Sequence, residues 1–206
     1  MFSKILKHQI YRLHHGTLQC LHVRYFTSTP EMINYFSLLG QPETFTISDS
    51  ELKQSYQSQM KLLHPDKHTL KSEPERQEFV EKSTNVVRAY EVLKDDYRRA
   101  LHLLELNGES LEEEGVSVSG NIVGMEILML VMEVREMVDA ILEKDKRSDE
   151  EKQKLQLLLE ENNQRTSDTI MALMDAFESK DLAQAKRLVA TLQYWNKINE
   201  TIIDKI

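Results

Sequence analysis

His64, Asp66 and His68 stand close together in "KLLHPDKH" (61–68), with Pro65 between the first two. Two imidazoles and a carboxylate so near each other could ligate zinc, or could supply part of a hydrolytic dyad if a nucleophile lay nearby. The spacing weakens both ideas. His64 and His68 are four apart, as on one helix face, but Pro65 interrupts any regular helix between them. No GxSxG, Walker loop, dinucleotide fingerprint or HExxH occurs, and no nucleophile or oxyanion loop accompanies the pair. The pattern therefore argues against an enzyme, a metal centre or a cofactor site. A helix stop with solvated flanks and a contact for another protein both stay open.

The elements around the motif must be helical. Of 206 residues, 40% are hydrophobic and 29% charged, with only 6 Gly and 4 Pro, and Leu, Glu, Lys and Gln abound. The single Cys20 excludes a disulfide within the chain and any Cys-rich zinc or iron–sulfur site. No apolar run approaches the roughly 20 residues that span a bilayer. The first 26 residues hold Lys4, Lys7, Arg12 and Arg24, no acid, and four of the seven histidines. Phe2, Ile5, Leu6, Ile10 and Leu13 share one side of a helix drawn there. A basic, acid-free amphipathic start followed by "RYFTST" predicts a mitochondrial presequence over 1–26 and a matrix location. The overall charge of −8 then leaves −12 on the rest, which disfavours nucleic acid as a partner.

Beyond the presequence the pattern is a series of helices. A short apolar turn at Tyr35, Phe36, Leu38 and Leu39 ends at Gly40 and Pro42. Ser48 or Asp49 caps a helix that carries Leu52, Tyr56, Met60 and Leu63 on one face and stops at Pro65. A long helix over 75–93 repeats Phe79, Val86, Ala89, Tyr90 and Leu93 at helical spacing, and one more ends at Asn107–Gly108. The acidic, Ser/Gly-containing stretch 109–121 lacks periodicity and reads as a linker. Three helices follow, at 122–145, 149–178 and 181–204. Ser148 with Glu151 forms a capping box for the second, and Asp181 caps the third. Short links predict an antiparallel three-helix bundle. Leu155, Leu158, Leu159, Ile170, Leu173, Met174 and Phe177 are its expected middle stripe.

The His-Pro-Asp tripeptide now gains context. It joins two predicted helices, Tyr56 precedes His64 by eight residues, and "AYEVLKDDYRRA" (89–100) follows. Together these resemble a J domain, the module that stimulates DnaK-type chaperone ATPases. The resemblance implies that His64, Pro65 and Asp66 contact the ATPase, with Lys53, Lys61 and Lys67 around them. Pro65 aims the turn, and Asp66 can accept from an arginine. Gln57 and Ser58 occupy positions where that family often has two basic residues, which predicts weaker or more selective docking.

In the second half, Ile127, Val131, Val134, Val138 and Ile141 fall on one side of a helix. Met125, Leu128 and Met132 fall well away from it as a second apolar stripe, and Tyr194 points away from Leu182, Val189 and Leu192. The order of J domain, acidic linker, "EILMLVMEVREMVDAI" and "LVATLQYWNKI" resembles the HscB-type J proteins of iron–sulfur cluster assembly. That resemblance implies an all-α, L-shaped protein with a J domain at 31–107, a linker at 108–121 and a C-terminal bundle at 122–206. It implies that the bundle binds an IscU-type scaffold through Leu128, Met132 and Tyr194, with Ile127, Leu130, Glu133, Glu136 and Ala140 beside them. Leu130 and Met137 stand where relatives often carry charge, and the cysteine-pair zinc module of some animal relatives is absent from the sequence. The alternatives are a general J protein that presents unfolded clients and, more remotely, a metal-dependent hydrolase at His64, Asp66 and His68.

Overall fold

The computed structural model describes residues 32–63, 72–113, 116–117, 123–142 and 148–203. The predicted presequence and His64, Pro65, Asp66, Lys67 and His68 lie outside the described residues. Seven helices are present among those described. They are α1 (Tyr35–Leu39), α2 (Asp49–Leu63), α3 (Glu73–Leu93), α4 (Asp96–Leu106), α5 (Met125–Leu142), α6 (Asp149–Glu178) and α7 (Leu182–Ile203).

Local chemistry sets most of their ends. Asn34 accepts the N–H of Ser37 to start α1, and Gly40 closes it at φ 63°, a left-handed position that suits glycine. Ser48 Oγ accepts the N–H of Glu51 at the start of α2 (3.4 Å). The third helix begins two residues earlier than its apolar rhythm predicts. Glu75 turns back to accept from the N–H (2.9 Å) and hydroxyl (2.6 Å) of Ser72, and Pro74 sits in the first turn, where no N–H is needed. Conversely α5 begins at Met125 rather than 122, because Gly124 at φ 89° is outside helical geometry while its carbonyl accepts the N–H of Leu128 (3.3 Å). The Ser148–Glu151 capping box forms as predicted. Asp181 caps α7 by accepting the N–H of Gln184 (2.9 Å), after a turn in which Lys180 is left-handed. The stretch read as a structureless linker holds a two-residue antiparallel pairing, β1 (Glu112–Glu113) with β2 (Val116–Ser117).

Two apolar cores form. The first gathers Phe36 and Leu39 of α1, Phe45 of the following loop, Leu52 of α2, Val86, Ala89 and Leu93 of α3, and Ala100, Leu103 and Leu104 of α4. It also takes Leu173 and Ala176 from α6, and Ala185, Val189 and Leu192 from α7. The second joins Val131, Val134, Val138 and Ile141 of α5 to Leu155 and Leu158 of α6 and Trp195, Ile198 and Ile202 of α7. The α6–α7 hairpin thus serves both cores. With 30 residues at 1.5 Å each, α6 is about 45 Å long, enough to reach from one to the other. Phe45 stacks on Phe177 (5.4 Å), and Lys186 pairs with Glu109 (3.2 Å), tying the hairpin to the N-terminal helices. Met174, read as part of the middle stripe, is 37% exposed instead, at the rim of a cleft beside Phe45 and Phe177.

Leu173 is fully buried where α6 meets α1–α4. Leu173→Ala is expected to cost about 2–5 kcal/mol and to lower one cooperative transition monitored by both helical signal and Trp195 fluorescence. Two separated transitions would contradict a shared core.

Arg99 is a buried cation. Its Nη1 donates to the Leu93 carbonyl (2.6 Å), its Nη2 pairs with Asp96, and its guanidinium lies 5.0 Å over the Phe45 ring. It ties the end of α3 to the start of α4. His102 is also buried, its ring tilted against Tyr35 (4.5 Å) and stacked on Phe36 (5.8 Å). Its Nε2 accepts the N–H of Tyr35 (3.1 Å), which leaves the ring proton on Nδ1, 3.7 Å from Glu105. Burial lowers its pKa below 6.5, although the charges of Glu105 and Glu43 pull upward. The unfolded chain therefore binds more protons as pH falls through this range. The stability contribution is fully present above pH 6.5 and is lost as pH drops toward the folded-state pKa. Urea unfolding at several pH values between 7.5 and 5 is expected to show this slope in the wild type and to show it reduced in His102→Gln.

Candidate interaction surfaces

The first surface follows α2. Leu52 anchors the helix in the core, and Tyr56 stacks on Tyr90 of α3 (4.4 Å), so α2 and α3 pack side by side. This anchoring turns Lys53, Gln57 and Lys61 outward at four-residue intervals, all exposed, with Ser58 beside them. Lys53 and Lys61 thus form a sparse basic row that runs toward the end of α2 at Leu63. The three motif residues that follow lie outside the described part.

The second surface is on α5. At about 100° per residue, its buried stripe of Val131, Val134, Val138 and Ile141 defines one face. The opposite face carries Met125 (72% exposed), Met129 (64%) and Met132 (61%) at successive turns. Leu128 flanks this row and is half-buried, while Glu126, Glu133, Arg135, Glu136, Asp139 and Ala140 are exposed around it. Ile127 and Leu130 are half-buried against the second core, on the valine side of α5 rather than on the methionine face. Tyr194 of α7 is half-buried on that same core. Sequence periodicity picked out Met125, Leu128 and Met132 and overlooked Met129. Its signal was available, four residues after Met125 and three before Met132.

A polar layer fixes α7 next to Tyr194. Asn162 is fully buried, and its Nδ2 donates to the Trp195 carbonyl (2.8 Å) and to Asn199 Oδ1 (2.7 Å). Trp195 Nε1 donates to Thr169 (3.2 Å), and Arg165 lies 6.0 Å over the indole. Such a layer specifies helix register, because any shift would strand buried polar groups. The clue in the sequence was an asparagine interrupting the apolar spacing of "LLLEENN".

No group of three or more His, Cys, Asp or Glu among the described residues could hold a metal ion. No helix among them is long and apolar enough to cross a membrane.

α2 and α3 pair and pack with α1 and α4, and the family model of the DnaJ domain matches residues 34–102, which makes this a J protein. The model of the HSCB C-terminal oligomerisation domain matches residues 123–203. The chain belongs to the HscB-type J-protein co-chaperones. It is 28% identical to the mouse iron–sulfur cluster co-chaperone protein HscB, over 89% of this chain and 73% of that one. It is 29% identical to the Arabidopsis thaliana homolog, over 92% and 70%. In fold it is similar to the human co-chaperone HscB (TM-score 0.73, 23% identity, 96% and 94% covered). The Jac1 co-chaperone of Saccharomyces cerevisiae, as its 5–182 clone, is also similar (TM-score 0.65, 23% identity, 84% and 94% covered).

Proposed function

We propose that this chain is a mitochondrial matrix co-chaperone that carries an IscU-type iron–sulfur scaffold to a DnaK-type chaperone and triggers that chaperone's ATPase. It performs no catalytic chemistry itself and uses no cofactor. On this reading residues 1–26 are the presequence, 31–107 the J domain, 108–121 the linker and 122–206 the scaffold-binding part. Leu128, Met132 and Tyr194 grip the scaffold, with Ile127, Leu130, Glu133, Glu136 and Ala140 at the margins. His64, Pro65 and Asp66 engage the ATPase, and Lys53, Lys61 and Lys67 steer the approach.

The observation that carries the reading is the methionine-rich face of α5. A helix that buries one valine-lined face has no internal use for three exposed methionines on the other. Methionine suits a partner surface because its side chain adapts to the shape it meets. Both partners act on the chaperone's conformational equilibrium, so the scaffold and the J domain should stimulate together more than either alone.

The test is a steady-state ATPase assay of the mitochondrial DnaK-type chaperone with this chain, with and without scaffold. Synergy with the scaffold, and none with a denatured model client, is the expected result. Equal stimulation by unfolded clients would favour the general J protein instead.

A further inference from the structure

We propose that Met125, Met129 and Met132 form a peroxide-sensitive modification site, whose oxidation releases the scaffold protein from α5. The binding half rests on the scaffold reading above; the chemistry rests on exposure and placement alone.

The chain has 9 methionines. Met125, Met129 and Met132 are 72%, 64% and 61% exposed, above Met171 (56%), Met32 (47%) and Met174 (37%). Met60 and Met137 are half-buried against the two cores. The three most exposed methionines in the described part therefore occupy consecutive turns of one helix face, and a two-electron oxidant reaches them ahead of the half-buried Met60 and Met137. The thioether sulfur attacks one oxygen of hydrogen peroxide. The O–O bond breaks, an S–O bond forms, and the other oxygen leaves as water after proton transfer. Sulfur is oxidised by two electrons, and peroxide is reduced. A methionine sulfoxide reductase with a dithiol reverses the step, giving thioether, water and disulfide.

The consequence is confined to the surface. None of the three side chains belongs to a core, so sulfoxides there leave the fold intact. The stripe, however, changes from apolar and adaptable to polar and chiral, and the adjacent Glu133, Glu136 and Asp139 then border a row of sulfoxides instead of thioethers. A partner that offers apolar groups to this helix loses its main contact. Met171 and Met174 lie on α6, outside this face, and provide an internal control.

The experiment treats the purified full chain with graded hydrogen peroxide, maps sulfoxides by peptide mass spectrometry and measures scaffold affinity. The expected result is oxidation of the three stripe methionines ahead of Met60 and Met137, with Kd rising at least about tenfold, as when one side chain's apolar burial is lost. Reductase treatment should restore it. The M125L/M129L/M132L variant, whatever affinity it starts from, should hold that value through peroxide treatment, while M171L/M174L should respond like wild type. The proposal is overturned if oxidised wild type binds as before, if the triple variant weakens equally, or if buried methionines oxidise first. Absence of scaffold binding before any peroxide is added sinks the scaffold reading itself and the release with it. Circular dichroism of the oxidised chain separates local modification from unfolding.

Discussion

His64→Gln and Asp66→Asn are each expected to bring chaperone ATPase stimulation down by more than about tenfold, while scaffold affinity stays within about twofold of wild type. In sequence, His64 follows directly on the last residue of α2. That helix is held by Leu52 and by the Tyr56–Tyr90 stack, so the chain leaves Leu63 from a rigid end. Pro65 disfavours continuing a helix, and on the proposed reading His64 and Asp66 meet the partner that docks against α2. A carboxylate that accepts from an arginine in a docked complex is a charge-assisted contact, and removing it leaves the partner's cation unpaired at a cost of about 2–5 kcal/mol. Lys53→Ala and Lys61→Ala should do less. Both lysines are exposed, so they act mainly on the association rate, and the loss should shrink as salt rises. The methionine stripe proposed to hold the scaffold lies on α5, which belongs to the second core, so it should not register these changes. Single-turnover ATP hydrolysis, with scaffold titrations on the same preparations, makes the measurement. Full stimulation by His64→Gln would remove the J-domain role from this chain.

The double change Leu128→Ala/Met132→Ala is expected to weaken scaffold binding by more than about a hundredfold. Each truncation removes roughly 1.5–3 kcal/mol of apolar contact, at about 1.4 kcal/mol per decade. Met132 is 61% exposed, so its truncation alone should leave thermal stability almost unchanged. Leu128 is half-buried, and its removal should cost about 1 kcal/mol of folding. Val134 provides the contrast. It is 1% exposed on the opposite face of the same helix, and Val134→Ala should destabilise the second core while folded molecules bind normally. Calorimetric titration paired with urea unfolding separates the two cases. A Met132→Ala variant that loses stability and keeps affinity would return the stripe to the role of core packing.

Much of this molecule can be read from local rules. The capping residues Ser148 and Glu151, the Asp181 cap and the Gly40 stop need only near neighbours in the chain, and each appears where side-chain chemistry predicts. The errors are local too, and each has a cause. Pro74 extended α3 backward because the first turn tolerates proline, and Gly124 delayed α5 because of its left-handed backbone. The valine stripe of α5 was legible because burial on one face imposes a 3.6-residue period on the sequence.

Periodicity says which side chains share a face, not what that face meets. It puts Met129 on one face with Met125 and Met132, but could not show that this face stays uncovered, with Met129 64% exposed. Nor could it show that Leu173 and Leu155, 18 residues apart on one stripe of α6, serve different cores. Those outcomes depend on which helices arrive from elsewhere in the chain, and no window of neighbouring residues contains that information. The order of the segments and the His-Pro-Asp tripeptide are written in the residues themselves. Only the packing of α5 against α6 and α7 leaves the methionine face of α5 uncovered, because burying the valine face turns its opposite outward.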